Sequence, residues 1–138
     1  MRPSAEVLLI EDDELDRMMV QELVALKGRG RVHVTEANDL HAGLDLLGAR
    51  SFDLVLLDTK LRDVSALSAL RAVGDAAPHT PILSHAAFLT VETRHAARKA
   101  GPWDVVARGG LNPIWSAMVG LLEMTPAERA AEGGLQPT

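Results

Sequence analysis

Apolar residues fall along this chain in two kinds of pattern, short unbroken runs and longer stretches with helical spacing. Val7-Leu8-Leu9-Ile10 and Leu54-Val55-Leu56-Leu57 are runs of the first kind, and they read as parallel strands covered on both faces. Each runs straight into acid: Glu11-Asp12-Asp13 follows the first, and Asp58 follows the second, where the chain is expected to leave the sheet. Asp13 is a fair N-cap for a helix from residue 14 to about residue 27, closed by Gly28-Arg29-Gly30. Met19, Val20, Leu23 and Val24 repeat at helical spacing and should face the sheet, with Leu15 and Met18 partly off that stripe near the acidic end. Residues 31–36 alternate and predict a short edge strand. Asn38 or Asp39 caps a helix marked by Leu40, Leu44 and Leu47.

After Asp58, the loop 59–63 leads into a helix with Leu67, Leu70 and Val73 inward. Residues 81–86 form a fourth strand, with Pro81 tolerable at its first position. Thr90 caps an alanine-rich helix to Ala100, stopped by Gly101-Pro102. Residues 104–107 make a brief fifth strand, and Asn112-Pro113 opens a last helix through Glu123. Five strands alternating with five helices predict an α/β domain, a doubly wound parallel sheet with right-handed crossovers. It covers residues 5–124 and leaves a polar, Gly- and Pro-bearing tail over 125–138.

Ligands of open α/β sheets bind outside the carboxyl ends of the strands. If the first and third strands are neighbours, Glu11, Asp12 and Asp58 converge at that edge. Three carboxylates so close repel one another, so either one is protonated or a hard divalent cation sits between them. Mg²⁺ suits an all-oxygen ligand set, and a carboxylate beside it can accept a phosphoryl group.

Composition narrows the reading further. A chain of 138 residues builds one domain without staples, and the absence of cysteine fits a reducing cytosol. No apolar run approaches the about 18 residues of a membrane span, and the start has no signal-peptide core, so a soluble, cytoplasmic protein is expected. Net charge is 14 − 19 = −5, which disfavours DNA binding, although Arg94, Arg98, Lys99 and Arg108 gather in the last third. His33, His41, His79, His85 and His95 show no metal-ligand spacing, and His85, in mid-strand, reads as a hydrogen-bonded core histidine.

Taken together, Leu8-Leu9-Ile10-Glu11-Asp12-Asp13, Phe52-Asp53-Leu54-Val55-Leu56-Leu57-Asp58, Leu61-Arg62-Asp63, Pro81-Ile82 and Ala100-Gly101-Pro102-Trp103-Asp104 resemble the receiver domain of two-component response regulators. Within that family, residues 11–23, with Asp16 in the first helical turn, look like the single-domain regulators that partner phytochrome-type kinases. Residues 108–113 look like the receivers with Lys-Gly where most have Lys-Pro. The resemblance implies a flavodoxin-like, three-layer fold whose five-stranded sheet has the order 2-1-3-4-5. It implies that Asp58 takes phosphate from the phosphohistidine of a histidine kinase or phosphotransfer protein. Glu11 and Asp12 would hold Mg²⁺ with Asp58 and the main-chain carbonyl of Lys60. The Lys60 side chain is either a modulator beside the acceptor or a surface lysine.

Leu15, Met18 and Met19 are read either as ordinary packing or, for exposed Leu15 and Met18, as the place where the kinase docks. The face made by the fourth helix, fifth strand and fifth helix is a candidate for a homodimer.

Three positions depart from the family pattern. Ala86 stands where a Thr or Ser hydroxyl is usual, and Ser84, two residues earlier, substitutes only if the strand ends early. Arg108 replaces the usual Lys, a planar fork in place of a compact charge, and either contacts phosphate or pairs with Asp58. Val105 replaces the aromatic switch residue. The expected function is therefore phosphorelay signalling by a receiver with altered switching, passing its message by protein contact. The alternative is a pseudo-receiver, an interaction module independent of phosphorylation. A phosphatase of the dehalogenase type would need a second Asp where Lys60 stands.

Overall fold

The computed structural model describes residues 4–58, 61, 64–86, 104–107 and 111–123. Its elements are β1 (Ala5–Ile10), α1 (Glu14–Gly28), β2 (Val32–Ala37), α2 (Leu40–Ala49), β3 (Leu54–Asp58), α3 (Ala66–Ala76), β4 (Ile82–Ala86), β5 (Asp104–Ala107) and α4 (Leu111–Glu123). All strand pairs are parallel, and the order across the sheet is β2-β1-β3-β4-β5. The order and the flavodoxin-like architecture agree with the resemblance.

Successive strand residues point to opposite faces, so each buried strand feeds two cores. Leu8, Ile10, Val55, Leu57 and Ile82 pack against Leu70 and Val73 of α3, with Leu40, Leu44 and Leu47 of α2 at the margin. Val7, Leu9, Leu54, Leu56 and Leu83 pack on the other side against Val20, Leu23 and Val24 of α1 and Ile114 and Met118 of α4. That makes three layers with α2 and α3 on one face and α1 and α4 on the other. β2 closes one edge and shows the alternation expected of it, its Val32, Val34 and Ala37 buried and His33 and Glu36 exposed.

Local signals set the helix starts. Asp13 Oδ1 accepts the Leu15 N–H at 3.0 Å, Asp39 Oδ1 accepts that of Ala42 at 2.8 Å, and Ser65 Oγ accepts that of Ser68 at 3.2 Å. Each satisfies one of the orphan donors of a first helical turn. α1 ends with Arg29 at φ 51° and Gly30 at φ 78°, and the missing Cβ lets Gly30 adopt that sign of φ without steric cost.

Four details differ from the sequence reading. β1 begins at Ala5, because the Ala5 N–H donates to Arg31 O at 2.8 Å and carries the β2 ladder past the polar Glu6. β3 keeps Asp58 as its last residue, opposite His85 of β4. α4 starts at Leu111, one residue before Asn112. Met19 does not face the sheet: it is 43% exposed. At about 100° per residue it sits a turn's edge away from the direction shared by Val20, Leu23 and Val24. The helix expected over residues 90–100, the tail over 125–138, and Lys60, Trp103 and Arg108 lie outside the described residues. Of the face considered for a homodimer, the strand and the last helix are β5 and α4, while the remaining helix is the one over residues 90–100.

Candidate functional site

β1 and β3 are adjacent and in register, with Ile10 opposite Leu57. The next residue on each strand, Glu11 and Asp58, therefore emerges at the same height at the carboxyl edge. Both are buried, Glu11 fully and Asp58 at 1% exposure. Asp16, half-buried on the first turn of α1, completes the group, and one carboxylate oxygen from each of the three lies within 4.8 Å of the others. At that spacing three ionised carboxylates repel strongly, whereas an all-oxygen, acid-rich pocket matches the ligand preference of a hard divalent cation such as Mg²⁺.

The surroundings hold Glu11 in place from several directions. Its N–H donates to Ala37 O at 3.0 Å, tying it to β2. Its carbonyl accepts from Arg17 Nη1 at 2.9 Å, and its Oε2 accepts the Asp13 N–H at 3.2 Å. Arg17 reaches on to Glu36 of β2, Nε to Oε1 at 3.5 Å, and Gln21 Nε2 donates to the other Glu36 oxygen at 2.9 Å. The β1–α1 turn, the first turns of α1 and the end of β2 are thus one connected support for the acidic group. Asp58 has its support from the sheet itself, as the end of a wholly buried strand between β1 and β4.

Of the acids expected at the site, the structure brings Glu11 and Asp58 together. Asp12 is half-buried beside them but is not in the group of three; Asp16 is. The signal for Asp16 was in the sequence: with Asp13 as N-cap, Asp16 is the third helical residue, the position from which an acidic side chain reaches back over the helix start. Ala86 ends β4 and brings no hydroxyl. Ser84 sits in mid-strand opposite Leu57 and Val105, fully buried, with an Oγ that makes no hydrogen bond. The strand does not end early, so Ser84 stays two residues short of the edge. Lys60 and Arg108 are outside the described residues.

A doubly wound parallel sheet with buried acids at the carboxyl ends of adjacent strands defines an open α/β domain of the class whose ligands bind at that edge. The chain matches the family model of the response regulator receiver domain over residues 7–109 and belongs to that family. It is 31% identical over 106 residues to the response regulator protein PilR of Pseudomonas aeruginosa, a match covering 76% of this chain and 23% of that protein. The chain thus spans under a quarter of the length of that curated relative.

Among solved structures it is similar to a CheY-like receiver domain protein of Methanospirillum hungatei, with TM-score 0.77, 18% identity, and coverage of 94% of this chain and 98% of that one. It is also similar to a response regulator of Burkholderia pseudomallei solved with a phosphorylated aspartic acid, calcium ion and citrate, with TM-score 0.71, 25% identity, and coverage of 98% and 76%. The family is one of phosphorelay signalling domains, which generally bind Mg²⁺ at an acidic pocket. Among the described residues no helix is long and apolar enough to cross a membrane.

Proposed function

We propose that this chain is a phosphoacceptor whose Asp58 receives a phosphoryl group from a phosphohistidine of a histidine kinase or phosphotransfer protein. The observation that carries the reading is the buried Asp58 carboxylate at the tip of β3 with Glu11 and Asp16 around it. In the transfer, an Asp58 oxygen attacks phosphorus and forms the O–P bond. The N–P bond breaks, and its electron pair returns to the donor imidazole, which is left neutral or takes a proton. Glu11 and Asp16, with Asp12 beside them and the Lys60 carbonyl as the resemblance implies, would hold Mg²⁺. The cation, when bound, neutralises charge that builds up on the transferring group. That the similar Burkholderia response regulator was solved with a phosphorylated aspartic acid and a calcium ion supports reading Asp58 as a phosphoacceptor beside a cation.

The switching half of the receiver is changed. Ala86 offers no hydroxyl for a phosphoryl oxygen, Arg108 brings a fork where a point charge is usual, and Val105 has no ring to rotate. Phosphorylation then has weaker means of reshaping the β4–β5 side, and the output is a change in protein contact, with Leu15 and Met18 of α1 as the docking residues for the donor. The test is incubation with Mg²⁺ and a small phosphodonor, followed by intact-mass and peptide mapping. One phosphoryl group on Asp58, absent from Asp58→Asn, is the expected result; no adduct together with no Mg²⁺ affinity overturns the reading.

A second reading, a pseudo-receiver that acts only through contact, is favoured by Ala86 at the end of β4 and the buried, unbonded Ser84 hydroxyl behind it. It requires that Asp58→Ala leave partner binding and oligomeric state unchanged.

A further inference from the structure

Glu11 and Asp16 reach the acidic group from different elements, Glu11 from the tip of β1 and Asp16 from the first turn of α1. The chain between them is a short turn, so the separation of their carboxylates depends on what ties the helix to the strand. Arg17, the neighbour of Asp16, provides a tie: its Nη1 donates to the Glu11 carbonyl at 2.9 Å, six residues back in the chain. That carbonyl stands one residue past the β1 ladder, which ends at Ile10 opposite Ala37 and Leu57. Glu11 is fully buried. A buried carbonyl beyond the ladder needs a donor from elsewhere, and Arg17 supplies one.

The same side chain is anchored on its other side. Arg17 and Gln21 are four residues apart, so they stand one above the other on the flank of α1 toward β2. Both hold Glu36, Arg17 through Nε at 3.5 Å from Oε1 and Gln21 through Nε2 at 2.9 Å from Oε2. One guanidinium, on a side chain only 15% exposed, thus joins the tip of β1, the first turns of α1 and β2. A planar fork makes two bonds in fixed directions, which the compact ammonium of a Lys does not.

We propose that Arg17 is a positioning residue of the acidic pocket, which sets the separation of Glu11 from Asp16 and thereby raises the affinity for Mg²⁺. The proposal rests on the reading of Glu11, Asp16 and Asp58 as holders of the cation. Arg17 brings two effects of opposite sign to that cation. Its positive charge repels it, but Glu36 lies 3.5 Å from the guanidinium and offsets that charge. Its bond to Glu11 fixes two ligands relative to one another, and groups that orient metal ligands from behind are worth about 10–100-fold in affinity. Positioning therefore outweighs repulsion. Because Arg17 acts through the ligands, its loss is felt as a need for more Mg²⁺, and the transfer step in the loaded pocket keeps its rate.

The test is calorimetric titration of Mg²⁺ into the full chain and its variants, well below their melting temperatures. Arg17→Met, which keeps the apolar stem, should weaken Mg²⁺ binding about tenfold or more. Arg17→Lys, which keeps the charge and loses the fork, should weaken it as well. Glu36→Gln, at the exposed end, should change it by less than about fivefold. With a small phosphodonor, Arg17→Met should need more Mg²⁺ for half-maximal labelling of Asp58 and reach the parent rate once Mg²⁺ saturates. A merely structural role would lower the melting temperature of the variants and leave the Mg²⁺ affinity of the folded protein where it was. Arg17→Met with unchanged or tighter Mg²⁺ binding overturns the proposal. So does Arg17→Lys with the parent's affinity, or a rate deficit that persists at saturating Mg²⁺. Weakened Mg²⁺ binding in the variants, with a parent Asp58 that takes no phosphate, would sink the phosphoacceptor reading and leave this one standing. A labelled Asp58 with variants that bind Mg²⁺ like the parent would do the reverse.

Discussion

Gly43 of α2 is the position where a single added carbon should be felt at the site. A Cβ built there falls 2.7 Å from Ile10 Cγ1 and closer still to Ile10 Cδ1, against the ~3.5–4.0 Å of an ordinary carbon–carbon contact. Ile10 is fully buried among Leu8, Ala37 and Leu57, so it has little room to give. Overpacking of a tight core costs about 1–3 kcal/mol. Replacing a helical glycine by alanine returns about 1 kcal/mol, so Gly43→Ala should come out destabilising by up to about 2 kcal/mol.

Gly74 of α3 is the control: nothing lies within 4 Å of a Cβ there, and Gly74→Ala should stabilise by up to about 1 kcal/mol. Urea titration reads both. A Gly43→Ala protein as stable as Gly74→Ala would refute the reasoning. So would a Gly43→Ala penalty that persists unchanged in an Ile10→Ala background, where a coupling of about 0.5–3 kcal/mol is expected. Ile10 directly precedes Glu11, so the same variant should also slow phosphorylation of Asp58 by a small phosphodonor.

Mg²⁺ at a hundred times its dissociation constant should stabilise the protein by about 2.7 kcal/mol, and Glu11→Gln or Asp58→Asn should lose that increment in melts with and without metal. Calorimetric titration should find Mg²⁺ binding weakened by Asp16→Asn at least as much as by Asp12→Asn; the reverse order would return the metal to the pair expected from the sequence. Asp13→Ala removes the α1 cap and should cost about 1 kcal/mol in urea titration. Arg17→Ala, which removes the charge-assisted hydrogen bond to the Glu11 carbonyl, should cost about 1–3 kcal/mol. Glu36→Gln touches only the exposed end of that network and should change stability by less than about 1 kcal/mol.

The strands, their acidic ends and the cap at Asp13 were legible in the sequence, and the next cap was narrowed to Asn38 or Asp39, because each depends on a few adjacent residues. A run such as Leu54–Leu57 has nowhere to go but between two layers, and Asp13 finds its donor two residues along. Strand order came from the resemblance, since no local pattern carries it. Other features follow from distances between residues far apart in the chain. Asp16 joins Glu11 and Asp58 because α1 is rotated to bury Val20, Leu23 and Val24, and the same rotation turns Met19 outward. Asp58 stays in the ladder because His85 happens to stand opposite, and Gly43 is needed only because Ile10 arrives at that height from another strand. Periodicity shows that a helix has an inner face; packing against the sheet decides which residues share it.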